Sequence, residues 1–114
     1  MITILKYLFG INSETNNNIK VLDASTFKQA VSNKKVQLID VRTANEYKSG
    51  CINKAKNIDI FSGEFSTEAD KLDKVKPVYL YCRSGARSKR ASKKLSKLGF
   101  KEIYDLKGGI LNYR

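Results

Sequence analysis

The sequence contains no histidine and no tryptophan, and it holds only two cysteines, one proline and one methionine. The missing imidazole excludes a Cys-His nucleophile pair, a Ser-His-Asp triad and every histidine-ligated metal site. Cys51 and Cys82 alone make a poor zinc site, so no metal is expected. Two cysteines are also too few for a disulfide framework, and a reducing compartment is the expectation. Acidic residues are scarce, 11 against 22 basic ones, which leaves a formal net charge of +11. Long apolar runs are missing as well. The opening MITILKYLFG is interrupted by Lys6 and is too short to span a bilayer. It has neither the basic leader nor the small-residue cleavage site of a signal peptide. A cytoplasmic protein is expected, with membrane contact unlikely. Residues 1–18 read as an apolar segment followed by a polar linker through Asn16-Asn17-Asn18, and residues 19–114 as the domain proper.

What is present fits one compact soluble domain: 114 residues, 41% hydrophobic and 29% charged. Asp23 or Ser25 can cap a short helix carrying Phe27, Ala30 and Val31 on one face. The run 36–41, VQLIDV, is short, apolar and β-branched, as a strand covered on both faces would be. Thr43 followed by Glu46 has the spacing of a capping box, and Gly50 closes the brief helix it opens. Residues 55–58 read as a further strand and 65–72 as a weak helix. Pro77 introduces the strand 78–81. The clearest helix runs over 88–98, with Ala91, Leu95 and Leu98 on one face and Lys89, Lys93 and Lys97 on another. A last strand covers 103–106, followed by Gly108-Gly109. Strands alternating with helices predict an α/β fold around a mainly parallel sheet.

The chemistry is concentrated in YLYCRSGARS, residues 79–88. An apolar strand ends at Tyr81, Cys82 opens a tight loop, and a helix follows. Ligands of open α/β sheets bind at the carboxyl ends of the strands, where Cys82 falls. Gly85 allows backbone angles that let the loop curl round the sulfur. The amides of Arg83, Ser84, Gly85, Ala86 and Arg87 are expected to point inward as an anion-binding nest, with the helix N-terminus behind them. Arg83 and Arg87 add positive charge. All of this favours thiolate over thiol, with no imidazole needed. The alternative is a buried cysteine that merely packs. From Arg83 to Lys101 there are eight basic residues and no acid. That stretch suits capture of small anions or a plain solvated face; nucleic-acid binding is unlikely, because no reading motif accompanies the charge.

The loop CRSGAR resembles the active-site loop of rhodanese-like domains. LIDVRTANEYKSGCINKAKNI, residues 38–58, is similar to that family's upstream signature, and GFKEIYDLKGGILNY, residues 99–113, to its closing strand and Gly-Gly turn. The resemblance covers roughly residues 19–113. It implies a rhodanese-like, mainly parallel five-stranded sheet flanked by helices, and a sulfurtransferase in which Cys82 carries a sulfane sulfur as a persulfide. The implied donor is a small anion such as thiosulfate. The implied acceptor is a thiol, cyanide or a protein thiol, and no cofactor is needed beyond the covalent persulfide. Asp40 and Arg42 match positions that support the loop and pair with the acid of the next helix, here Glu46. Cys51 stands where the family usually has histidine, either as a steric replacement or as a second, resolving thiol. Lys54 replaces a small residue, and Tyr113 a common tryptophan. Other readings of the same pattern are a persulfide carrier for a protein partner, a non-catalytic binding module, and a cysteine-dependent phosphatase or arsenate reductase. The last needs five residues between cysteine and arginine; Arg87 follows Cys82 after four.

Overall fold

Five short strands, β1 (Ile19–Leu22), β2 (Gln37–Asp40), β3 (Lys56–Asn57), β4 (Val78–Tyr81) and β5 (Ile103–Leu106), form one sheet in the order β1-β5-β4-β2-β3. Every pairing is parallel. The computed structural model describes residues 17–33 and 35–113, so the apolar segment and the linker up to residue 16 lie outside the described residues. Four helices cross over between the strands: α1 (Ala24–Val31), α2 (Ala44–Lys48), α3 (Phe65–Ala69) and α4 (Ala86–Lys97); a 3-10 turn, Ile110–Asn112, follows β5. Among the described residues no helix is long and apolar enough to cross a membrane.

The strand period of two divides the interior into two cores. Val78, Leu80 and Cys82 point to one face with Ile39, Val41 and Ile103, where Phe65 and Ala69 of α3 and Ala91 and Leu95 of α4 cover them. Tyr81, Leu38 and Leu106 point to the other, against Phe27 of α1, with Tyr47 of α2 packed alongside. Burying each of the large side chains contributes roughly 1.5–3 kcal/mol, more than any single cap or surface ion pair. These two layers therefore hold the short helices in place, since helices of this length are marginal alone.

Local signals behave as the sequence implies. Asp23, rather than Ser25, caps α1 by accepting from the Thr26 N–H at 2.8 Å. The Thr43/Glu46 capping box is formed, with both reciprocal hydrogen bonds present. Several boundaries differ. Helix α4 begins at Ala86, two residues before Ser88, because Gly85 at φ +115° turns the chain directly into it. Helix α3 stops at Ala69; the segment read as continuing to Leu72 is a turn closed by Leu72 N–H on the Ala69 carbonyl. Strand β3 is two residues long, and β1 is an edge strand that the residue pattern does not announce. Asn18, assigned to the linker, is fastened to the domain: its amide donates to Ser96 Oγ at 3.0 Å and to the Phe100 carbonyl at 2.9 Å.

Candidate active site

Strand β4 lies between β5 and β2, and Cys82 is the first residue beyond its carboxyl end. The side-chain alternation that buries Val78 and Leu80 carries Cys82 to the same face, leaving it 1% exposed against the start of α4. Gly85 donates its N–H to Cys82 Sγ at 3.0 Å. The thiol in turn lies 3.5 Å from Ser88 Oγ, to which it donates, and the Ser88 hydroxyl donates to the Gly85 carbonyl at 3.2 Å. Of the five amides expected to converge on the sulfur, Gly85 alone makes a hydrogen bond to Sγ. Ala86 and Arg87 already belong to α4, so their N–H groups are among the unsatisfied donors at the helix start.

The loop is braced from behind. The Cys82 carbonyl accepts from Ile110 N–H at 2.9 Å and the Arg83 carbonyl from Leu111 N–H at 3.2 Å, so both carbonyls are turned toward the 3-10 turn. Gly109 makes this approach possible. It sits at φ +69° and ψ −169°, and a Cβ there would overlap the Arg83 carbonyl and stand 2.6 Å from the Ser84 nitrogen.

Arg87 is held by Glu46 in a two-pronged pair, Nη1 to Oε1 at 2.7 Å and Nη2 to Oε2 at 2.9 Å. Its hydrogen bonds to Arg87 bring the Glu46 carboxyl down to about 2, and Thr43 assists. The same hydrogen bonds hold the Arg87 proton more tightly. Arg87 is therefore a fixed cation at the loop. Arg83 and Ser84 are exposed, Gly85 is half-buried and Ala86 is exposed.

The pairing expected between Glu46 and the Asp40–Arg42 couple does not form. Arg42 folds back on Asp40, with Nη2 to Oδ2 at 2.7 Å, and donates to the Gly50 carbonyl at 2.6 Å. Tyr81 Oη donates to Asp40 Oδ2 at 2.7 Å and accepts from Ile52 N–H at 2.9 Å. The alternation in β2 explains the separation: Asp40 faces the α1/α2 core, away from Cys82. Asp40 and Arg42 thus anchor the segment that carries Cys51. Cys51 is exposed, and neither it nor Cys82 is in a disulfide. It opens on a cavity of about 470 Å³ lined also by Arg42, Gly50, Ile110 and Leu111.

One residue of the site was not singled out from sequence. Asp105 is buried on the Cys82 face, and burial raises its carboxyl to about 6 against the opposing pull of the Ser88 hydroxyl. The available signal was an acid at an inward position of an apolar strand, IYDL, in phase with buried Ile103.

The family model "Rhodanese-like domain" matches residues 23–114. The chain is 36% identical over 102 residues to a tRNA uridine(34) hydroxylase of Pelagibacter ubique, covering 89% of this chain and 34% of that protein. It is 30% identical over 103 residues to the putative sulfur carrier protein YrkF of Bacillus subtilis, covering 90% and 55% respectively. In these two comparisons the chain spans about a third and about half of the relative's length. Among solved structures, a rhodanese-like domain protein from Staphylococcus aureus superposes with a TM-score of 0.73 at 26% identity, over 83% of this chain and 91% of that one. A rhodanese-related protein from Thermoplasma volcanium gives 0.71 at 30% identity, over 82% and 89%. The all-parallel five-stranded sheet and the matched residues agree: this chain belongs to the rhodanese-like domain family.

Proposed function

We propose that the protein is a sulfurtransferase in which Cys82 accepts a sulfane sulfur from a small anionic donor such as thiosulfate and passes it on from a persulfide. In the first step the Cys82 thiolate attacks the outer sulfur; the S–S bond of thiosulfate breaks and sulfite leaves with the electron pair. The persulfide's negative charge is stabilised by the Gly85 N–H, the free donors at the start of α4 and the fixed Arg87 guanidinium. A thiol, cyanide or protein thiol then removes the outer sulfur, and ping-pong kinetics follow. The observation that carries this reading is the buried Cys82 sulfur receiving the Gly85 N–H at 3.0 Å at the end of a central strand. Four residues between Cys82 and Arg87 support sulfur chemistry over phosphoryl transfer.

A second reading keeps the same persulfide but delivers it to a protein. The similarity to a putative sulfur carrier favours it, as do Phe61 and Leu111, 62% and 58% exposed beside Arg87 and Arg83. Mass spectrometry after thiosulfate exposure tests both. Wild type should gain one sulfur, roughly 32 Da, and Cys82→Ala none. Phosphate release from an aryl phosphate with no sulfur adduct would overturn the proposal. An adduct that small thiols discharge slowly would select the carrier.

A further inference from the structure

A cavity of about 340 Å³ opens between α4 and the β1 edge of the sheet. Its origin is topological. Helix α4 packs over β4 and β5, and the edge strand β1 keeps Val21 60% exposed. The parallel register sets Val21 beside Asp105 of β5, and both line the cavity. Gly85 forms part of the wall, but Cys82 does not, so this space is separate from the sulfur site.

Two buried polar side chains line the cavity without partners. Among the described residues, Ser92 Oγ and Asp105 Oδ1 make no hydrogen bond, although the residues are only 1% and 5% exposed. Buried polar atoms are nearly always hydrogen-bonded in folded proteins, and two orphans on one cavity call for a group that supplies donors. Burial raises the Asp105 carboxyl to about 6, so above neutrality it is ionised and can only accept. The remaining charge has the opposite sign. Lys89 and Lys93 of α4 and Lys107 after β5 also line the cavity, are exposed, and form no ion pair among the described residues. Three uncompensated ammonium groups suit a multiply charged anion. A phosphate monoester fits, with a charge of roughly −1.5 to −2 near neutrality and three acceptor oxygens. Ile19 and Val21 offer an apolar surface for a ring, and the volume is at the lower end of the about 300–1,000 Å³ typical of small-molecule sites.

We propose that this cavity binds a small phosphate monoester whose ring bears an N–H donor, the chemistry of a nucleoside monophosphate. The base lies against Ile19 and Val21, donates to Asp105 and completes its hydrogen bonds with Ser92. The phosphate is held by Lys89, Lys93 and Lys107. The site goes beyond the sulfur-transfer reading and does not depend on it.

The test is calorimetric titration of the full chain, slightly above neutral pH, with guanosine, adenosine and uridine 5′-monophosphates and with inorganic phosphate. Amide spectra locate the bound nucleotide. At least one nucleotide should bind with a dissociation constant below about 1 mM, and inorganic phosphate at least about tenfold more weakly. The shifts should centre on Val21, Ser92 and Asp105. Replacing Lys89 and Lys93 together by alanine should weaken nucleotide binding at least about tenfold. Asp105→Leu should weaken the nucleotide at least about fivefold and leave inorganic phosphate unaffected, because only the base meets the carboxylate. Ser92→Ala carries that arm if Asp105→Leu fails to fold. No binding of any nucleotide, equal affinity for inorganic phosphate, or the parent's affinity in Asp105→Leu and Ser92→Ala would overturn the proposal. Shifts centred on Cys51 and Leu111 would also overturn it, by placing the ligand at the sulfur site. Tighter binding of a short single-stranded RNA than of any monophosphate would do so too, since the lysines would then hold a polymer backbone. Sulfur loading of Cys82 is measured separately, so its failure leaves this site standing and the converse also holds.

Discussion

Replacing Gly109 by alanine probes how the Cys82 loop is held from behind. Its φ of +69° with ψ −169° lies in a region that only glycine occupies readily, and a side chain there costs about 1–3 kcal/mol. The new Cβ also overlaps the Arg83 carbonyl and stands 2.6 Å from the Ser84 nitrogen. Both obstacles are backbone, so the loop must retreat; overpacking of that kind adds about 1–3 kcal/mol. Together the loss is about 2–6 kcal/mol. At about 4–8 °C per kcal/mol in a domain of this size, the middle of that range lowers the melting midpoint by roughly 15–30 °C. Displacing the loop by about 1 Å should also slow thiosulfate loading about a hundredfold. Gly108→Ala is the matched control. It too has positive φ, +75°, but its Cβ stands 3.1 Å from Asn112 Cβ, a contact that a shift of a few tenths of an ångström relieves, unlike the backbone overlap at Gly109. It should cost only about 1–2 kcal/mol, from φ alone. Thermal unfolding and the mass-spectrometric loading assay measure both variants. Gly109→Ala with the melting point and loading rate of Gly108→Ala would refute the reasoning, because the backbone contact would then hold nothing in place.

Two further outcomes follow from single residues. Glu46→Gln should lose about 1–2 kcal/mol at pH 7, the two-pronged pair with Arg87 being partly screened by solvent. Because the folded Glu46 carboxyl is lowered from 4.5 to about 2, its contribution is fully present above about pH 4.5 and disappears as pH falls toward 2. Denaturant titrations of both proteins should therefore converge at low pH, and a constant gap across the range would contradict this. Lys54 is the one non-glycine residue at positive φ, +71°, among the described residues. Lys54→Gly should raise stability by about 0.5–1 kcal/mol by removing that strain, and a lowered melting point would show that the Lys54 side chain does something the backbone angle does not reveal.

Cys82, Gly85 and the following helix are contiguous, so strand, tight loop and helix start could be read from ten residues together with the chemistry they imply. The Thr43/Glu46 capping box was legible for the same reason: its partners are three residues apart. Burial on both faces of β2 and β4 was visible in their apolar runs. Strand β1 was not, because an edge strand with exposed Lys20 and Val21 lacks such a run. Arg87's choice of Glu46 over solvent, and Arg42's choice of Asp40 over Glu46, depended on which side chains arrive on which face of the sheet. Gly109 against Ser84, and Asp105 opposite Leu80, exist only because β5 lies beside β4 in the sheet. Residue type and short spacing determine what a segment can do chemically. Contacts between segments tens of residues apart are set by strand order and by the two-residue alternation that assigns each side chain to one core or the other.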